Sequence, residues 1–365
     1  MAAQTDVCIV GGGVGGLACA LALRRAGVAC QVFERDASFG DRRNGYGMTL
    51  SADDKGPLGQ LGVLDACRAL SCVSKSHFIF DGTGRVRGYY GRALRGDAPA
   101  NDSPEKKRHT GRTGSLRVQR QQLRRVLLDA LEALDVKVRW NSPLESYEES
   151  DAGVVATFAG GVQCECNALV GADGIRSLVR LQRDAALQSS GEATQDLRWL
   201  GVGVVVGISA HRHSLVEDRG FYMLTGSARL FTMPFAADMT MWQFSFKIEG
   251  DADDAAALLS NHGTGAKARL LAHALTLVPH RGADADGALG RVVEAVISAT
   301  EDVWATPLYD RSAMPLPKRA KASRVTVLGD ACHPMTCFKG AGGCRAVRQV
   351  LHQARGGRFD AAAHF

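Results

Sequence analysis

The chain has 365 residues, 45% hydrophobic and 22% charged, the composition of an ordinary globular protein long enough to bury a sizeable core. Its net charge of +6 suits an anionic ligand, but no basic stripe carries interleaved aromatic residues, so nucleic-acid binding is not indicated. The first apolar run is rich in glycine with no basic residue before it, which argues against a signal peptide or a membrane span.

Residues 6–10 are a short apolar run of the buried parallel-strand type. Gly11, Gly13 and Gly16 follow in the spacing G-x-G-x-x-G. Residues 17–25 then read as a helix, with Leu17, Ala20, Leu21 and Arg24 on one face and Gly27 as its stop. Residues 28–33 form a second strand, closed by Glu34 and Arg35. Gly11 permits a tight turn, Gly13 lets a pyrophosphate approach the backbone, and Gly16 lets the helix pack close to the strand. The helix N-terminus then offers free N–H groups and a positive dipole end that favour an anion. Glu34 is placed to accept hydrogen bonds from ribose hydroxyls. Strand, turn, helix, second strand and terminal acid together indicate a dinucleotide.

Residues 37–50 read as a loop, in which Arg42 and Arg43 either reach a cofactor phosphate or are simply solvated. A helix is expected over 55–70, and a hairpin over 77–90 around the turn DGTG. Residues 92–114 are polar and carry Pro99, Pro104 and a charge run, the pattern of a flexible surface insertion. Residues 116–134 read as one amphipathic helix with Leu123, Leu127, Ala130, Leu131 and Leu134 on a face. A strand at 136–140 and a hairpin of 154–158 with 162–166 follow, and 167–170 lead into GADG, which holds Asp173 and Gly174. Strands at 200–208, 221–224, 229–233 and 240–248 suggest a mainly antiparallel sheet with one wall available for a ligand. Tyr222, Met233, Phe235, Trp242 and Phe244 are candidates for that wall, with core packing the expected fate of each. Helices at 251–277 and 289–299 and a strand at 304–309 precede the strand 324–328, which ends in GDACHP with Gly329, Asp330 and His333.

Asp173 and Asp330 each end an apolar strand, where α/β sheets bind ligands. A turn-forming Asp-Gly for Asp173 and a helix N-cap for Asp330 are the competing readings. Cys8, Cys19 and Cys30 read as small buried apolar residues. Cys164 with Cys166, and His211 with His213, share a strand face but have no further ligands nearby, so no metal site is assigned. Ten cysteines without a CxxC fit reduced thiols in a cytoplasmic protein.

Taken together, the glycine fingerprint with Glu34–Arg35, the run GADGIRS from Gly171, and GDACHP from Gly329 resemble the three ordered motifs of the single-component flavoprotein aromatic hydroxylases, the class A monooxygenases of the para-hydroxybenzoate hydroxylase type. That resemblance implies an α/β fold: a Rossmann-like FAD-binding domain of the GR2 type over 1–72, 115–185 and 318–365, with a β-rich substrate domain, 73–114 and 186–317, inserted in it. It implies that Gly11, Gly13, Val14, Gly15 and Gly16 hold the FAD pyrophosphate and Glu34 with Arg35 the adenosine end. Arg43 and Arg120 match cofactor-contacting arginines. Asp173 and Gly174 would help hold FAD and the nicotinamide cofactor, Gly329 and Asp330 the ribityl chain. A helix after Gly340 and Gly342 would face the flavin pyrimidine. The implied activity is hydroxylation of a small, typically aromatic substrate with NADPH or NADH and O₂, in which the cofactor carries the chemistry. No catalytic side chain is implied; His333 is the one candidate, as a proton-transfer group or a structural histidine.

The family usually carries proline where Cys337 stands, asparagine at Cys344 and an acid at Gln349, and its chains run on beyond the ARGGRFDAAAHF with which this sequence closes. These departures leave two further expectations: an FAD-binding protein with little or no hydroxylase turnover, or another flavin-dependent oxidoreductase on the same fold.

Overall fold

In the computed structural model, residues 3–41, 45–72, 76–91, 115–189, 191, 194, 196–217, 219–279, 288–311 and 323–339 are described. The insertion expected over 92–114 and the segment after Lys339 lie outside them. Strand β1 (Ala3–Val10) is buried from Val7 to Val10 on both faces, which is why its sequence is apolar without alternation. Helix α1 (Val14–Arg25) is apolar around its circumference and correspondingly buried; Arg24 and Arg25 complement the carbonyl end of its dipole. Gly27, at φ +80°, ends it as expected. The chain returns through β2 (Cys30–Phe33), parallel to β1.

The loop expected at 37–50 contains β3 (Gly47–Ser51). Two short helices, α2 (Pro57–Gln60) and α3 (Leu64–Ala69), replace the single helix expected there. The hairpin β4 (Ser76–Asp81) and β5 (Val86–Gly91) follows. The helix expected over 116–134 is corrected: its first turn is strand β6 (Ser115–Gln119), and helix α4 (Arg120–Glu132) begins at Arg120. In β6, Leu116 and Val118 alternate with Arg117 and Gln119, and pairing with β3 turns the two apolar residues into the core.

Next come β7 (Val138–Arg139), β8 (Leu144–Glu149), β9 (Val154–Phe158) and β10 (Val162–Gly171). Strand β8 and the following α5 (Leu178–Ser189) were not foreseen. Then follow β11 (Arg198–Ser209), β12 (Gly220–Leu224), β13 (Ala228–Ala236) and β14 (Met239–Lys247). The helix expected over 251–277 is two, α6 (Ala252–Leu258) and α7 (Ala266–Thr276), because Gly263 and Gly265 take φ +91° and +79° between them. Helix α8 (Ala288–Ser298), β15 (Thr300–Asp310) and β16 (Val325–Val327) complete the described chain.

Among the described residues the strands form two large sheets and a ribbon. The first runs β7-β2-β1-β10-β9-β8, with β16 also paired to β10. The second runs β15-β11-β14-β13-β12-β4-β5, antiparallel except where β12 meets β4. Strands β3 and β6 pair by themselves. Helices α1 and α4 pack on one another over the first sheet, around Leu17, Leu21, Leu123, Leu127 and Leu131. One face of the second sheet is buried against α6, α7 and α8, around Trp242, Phe244, Leu270 and Val293. Its other face, carrying Met233 and Met241, meets the β3–β6 ribbon: Gly47 N–H lies 3.1 Å from Met241 Sδ, and Gln119 donates to the Phe235 carbonyl at 3.1 Å.

Candidate cofactor and substrate site

The parallel register brings the three glycine motifs to one edge. Val10 is paired with Gly171, and Gly171 with Val327, so residues 11, 172 and 328 leave adjacent strand ends. Backbone bonds fix the turns: Ala172 N–H to the Val10 carbonyl at 2.7 Å and Leu328 N–H to the Gly171 carbonyl at 2.9 Å. Gly11 takes φ +111°, and a side chain there would overlap the Ala172 carbonyl. A Cβ on Gly16 would overlap the Gly11 carbonyl oxygen. Gly13 differs: it is extended at φ −75°, and a Cβ there would meet nothing within 4 Å. It caps α1, whose first turn holds no acidic residue and no side-chain cap. The Val14, Gly15 and Gly16 end of α1 is therefore a positive, open cradle that fits a pyrophosphate.

Glu34 supports this cradle from within. It is 4% exposed, and one carboxylate oxygen accepts from Gly12 N–H at 2.5 Å while the other accepts from Asp36 N–H at 3.0 Å. Each oxygen retains a lone pair that could accept a ribose hydroxyl. Arg35 points outward, 65% exposed, 4.0 Å from Asp36.

Sequence reasoning missed Arg124. This arginine is fully buried on α4, and both its Nε and a terminal nitrogen donate to the Gly12 carbonyl, at 3.2 and 3.1 Å. Its other terminal nitrogen donates to Gln121 at 2.8 Å. Glu34 thus grips the N–H of Gly12 and Arg124 its carbonyl. The signal was present: Arg124 lies between Leu123 and Leu127 beside the apolar face, where a solvated cation is not expected.

Asp173 accepts from Leu178 and Val179 N–H, at 2.8 and 3.3 Å, through one oxygen, so it caps α5. Its other oxygen is buried with no hydrogen-bond partner. Burial holds its carboxyl above the usual range, against the hydrogen bonds from Ser177 and the helix N–H groups. Gly174, at φ +83°, has open space where a Cβ would be.

Asp330 sits in a tight helical turn begun by Gly329, which takes φ +60°. Asp330, Tyr46 and Cys337 all have open surface, 43% for Tyr46, yet surrounding protein desolvates each group enough to raise its pKa. Accessible surface with dense surroundings describes the wall of a cleft. Arg120 faces it: its charge opposes the rise at both Asp330 and Tyr46, and its N–H donates to the Tyr46 carbonyl at 2.9 Å. The His333 charge also acts on Asp330, and His333 Nδ1 is buried without a hydrogen-bond partner. Arg43, Gly340 and Gly342, with Cys344 and Gln349, lie outside the described residues.

The far wall is the open face of the second sheet. Cys337 accepts from Gln243 of β14 at 3.2 Å, which seats the GDACHP segment against it. Trp242 and Phe244 follow the core-packing reading: they point into the helix-covered core, and Trp242 Nε1 lies 3.0 Å from both Ser209 and Thr300 hydroxyls. Met233 is buried against Gly47, whereas Tyr222 and Phe235 are half-buried on the open face.

His77 of β4 stacks on Phe231 at 5.6 Å between ring centres, beside Tyr222 at 5.9 Å. Burial and the Arg117 charge push its pKa from 6.5 down to about 4. The unfolded chain therefore takes up this proton first, and the stability His77 contributes is present above its unfolded pKa and lost as pH falls towards 4. His77→Phe, which keeps the ring contact, is expected to remove up to about 3 kcal/mol of that acid loss. Urea midpoints at about pH 7 and about pH 4.5 measure it; equal acid sensitivity in both proteins would refute the assignment.

Among the described residues, no helix is long and apolar enough to cross a membrane. The family described as FAD binding domain matches residues 4–259. An aurachin C monooxygenase/isomerase from Stigmatella aurantiaca is 27% identical over 354 residues, covering 96% of this chain and 79% of that protein. A 3-amino-4-hydroxybenzoate 2-monooxygenase from Streptomyces platensis is 26% identical over 365 residues, covering 94% and 77%. In fold, the chain is similar to Klebsiella pneumoniae HpxO solved with FAD and uric acid, at a TM-score of 0.73, 22% identity, and coverage of 98% of this chain and 82% of that one. With the cradle at Gly13 and the three motifs on one sheet edge, these matches establish that the chain belongs to the FAD-binding domain family and is an FAD-dependent monooxygenase of the class A type.

Proposed function

We propose that the chain uses NADPH or NADH and O₂ to hydroxylate a small aromatic compound held between the Asp330 cleft and the open face of the second sheet. The observation that carries this reading is Cys337 seated on Gln243, beside Phe231 and Tyr222, while Cys337 and Asp330 both act on Tyr46, so that a ring-bearing wall meets the edge that gathers the three motifs. The Streptomyces relative, named for an aminohydroxybenzoate, supports an aromatic substrate.

FAD, when bound, supplies the electron transfer from NAD(P)H and the activation of oxygen. The residues of the chain bind and orient it. The open N-terminus of α1 takes the pyrophosphate, with Gly12 clamped by Glu34 and Arg124. Glu34 offers its remaining lone pairs to the adenosine ribose, with Arg35 beside it. Asp330 faces the ribityl hydroxyls with Arg120 balancing its charge, and the bare oxygen of Asp173 accepts from the cofactor. Arg43, Gly340 and Gly342 are assigned to the same site. The wall of Tyr222 and Phe231 keeps water from the reacting ring. We assign residues 1–72, 115–185 and 318–365 to the cofactor domain, and 73–114 with 186–317 to the substrate domain. A cytoplasmic setting agrees with the free thiols of the described cysteines.

The test is direct. The purified chain is reconstituted with FAD and reduced anaerobically with NADPH, then given air with a panel of phenols. Bleaching, reoxidation and a hydroxylated product are expected. A yellow protein that NADPH never bleaches would show cofactor binding without turnover, and a chain that takes up no FAD would refute the reading.

A further inference from the structure

The turn that follows β2 reaches the Gly12 peptide twice. Glu34, at its start, accepts from the Gly12 N–H. Phe39, further along, meets the side chain that holds the Gly12 carbonyl: the Arg124 guanidinium carbon lies over the Phe39 ring, 5.1 Å from its centre. The turn between them is closed by its own hydrogen bonds. Asp41 accepts from the Ala37 and Ser38 N–H groups, at 2.8 and 3.2 Å, and from the Ser38 hydroxyl at 2.8 Å. It is also tied to the segment after β7, where Asn141 N–H donates to the Asp36 carbonyl and Ser142 N–H to the Glu34 carbonyl, both at 2.8 Å. Phe39 is half-buried between exposed Ser38 and Gly40, and Trp140 stands edge-on to it with ring centres 6.5 Å apart. The ring is therefore presented to α4 by a backbone with little freedom to turn it away.

A guanidinium carries its N–H donors in its plane and leaves its faces to an aromatic ring. Arg124 directs its donors at the Gly12 carbonyl and at Gln121, so a ring over its face does not compete for them. Two arginines approach the ring, and burial decides between them, because a cation–ring contact strengthens where water is excluded. Arg125 is the nearer, at 4.0 Å, but its side chain is 47% exposed and also meets Asp129 at 3.5 Å. Arg124 is fully buried.

We infer that Phe39 is a positioning residue for the cofactor: its ring holds the Arg124 guanidinium on the Gly12 carbonyl and thereby aims the N–H groups of α1. One short turn then sets both arms of the clamp, Glu34 on the N–H side and Phe39, through Arg124, on the carbonyl side. The inference rests on the assignment of the FAD pyrophosphate to this cradle.

The test is the FAD affinity of the full chain, titrated at a temperature where circular dichroism shows every variant folded. Phe39→Leu keeps apolar bulk and removes the ring face, and is expected to weaken FAD binding about threefold to tenfold. Phe39→Tyr keeps the face and should bind FAD within about twofold of wild type. The cycle with Arg124→Met separates the ring from its bulk: in that background Phe39→Leu should cost less than about twofold. A loss that persists undiminished without Arg124 would overturn the inference, because the ring would then act by packing alone. Wild-type affinity in Phe39→Leu would overturn it as well, and so would an equal loss in Phe39→Tyr. An equal loss in Arg125→Gln would assign the effect to the exposed cation instead. If Phe39→Leu does not fold, Phe39→Met takes its place with the same expected outcomes. Gly13→Val, titrated alongside, keeps the two readings apart. FAD lost from Gly13→Val with normal affinity in Phe39→Leu refutes only the Phe39 assignment, whereas FAD retained in Gly13→Val refutes the cradle.

Discussion

Gly13→Val is expected to yield a folded chain that no longer retains FAD, whereas the smaller change Gly16→Ala is expected to destabilise the chain itself. Gly13 sits at φ −75° in extended backbone open to any residue, and no atom lies within 4 Å of its missing Cβ. Replacing a glycine N-cap by valine costs about 1 kcal/mol or less in helix stability. Under the proposed assignment this open space takes the pyrophosphate, so an isopropyl group there would displace the anion from the N–H groups of α1. Losing two charge-assisted hydrogen bonds at about 1.5 kcal/mol each weakens FAD binding roughly a hundredfold. At Gly16 one methyl group would overlap the Gly11 carbonyl oxygen, with the Ala172 Cβ 3.3 Å away. The Gly11 backbone and the Cβ of Ala172, which has no rotamer to change, cannot yield, and overpacking of this kind costs about 1–3 kcal/mol or more. Urea unfolding and FAD content separate the two variants. Wild-type flavin content in Gly13→Val would contradict the pyrophosphate assignment, and an unchanged unfolding midpoint in Gly16→Ala would contradict the close packing.

The same contrast explains what could be read before folding. The β1–α1–β2 unit was legible because its signals are local: a run of buried residues, glycines at fixed spacing, and an acid at the next strand end. Strands β3 and β6 were not, because the partner of Leu116 is Leu50, across a long stretch of chain, and a four-residue alternation before a helix resembles one more helical turn. Asp173 was legible as a residue at a strand end, but its division of labour was not: one oxygen caps α5 and the other stays bare. Which of the aromatic strand residues would face the cleft was not legible, for a different reason. Each strand of an antiparallel sheet has two faces, and the parity that sends Trp242 into the core and Gln243 into the cleft is decided by which face the helices α6 to α8 cover.

Arg124→Met is the second change with a large expected effect, and it acts on the loop rather than on the ligand. Methionine preserves most of the apolar stem beside Leu127 and Leu128, so the packing of α4 on α1 survives. What is lost is the pair of donors on the Gly12 carbonyl. A buried carbonyl left without its partner costs about 1–3 kcal/mol. The loss is directional as well, because Glu34 still pulls on the Gly12 N–H at 2.5 Å while nothing opposes it from the carbonyl side. The peptide is then free to tilt, and the N–H groups of Val14 and Gly15 lose their aim. We expect Arg124→Met to lower the unfolding free energy by about 2 kcal/mol and to weaken FAD binding at least tenfold. Arg124→Lys should recover little of either, since an ammonium cannot reproduce the two-nitrogen contact. The measurement that isolates the loop effect is FAD affinity at a temperature where both variants remain folded. If affinity falls only in parallel with the unfolded fraction, Arg124 is part of the packing alone; a deficit that persists in fully folded protein identifies the guanidinium as the group that holds the cradle in position.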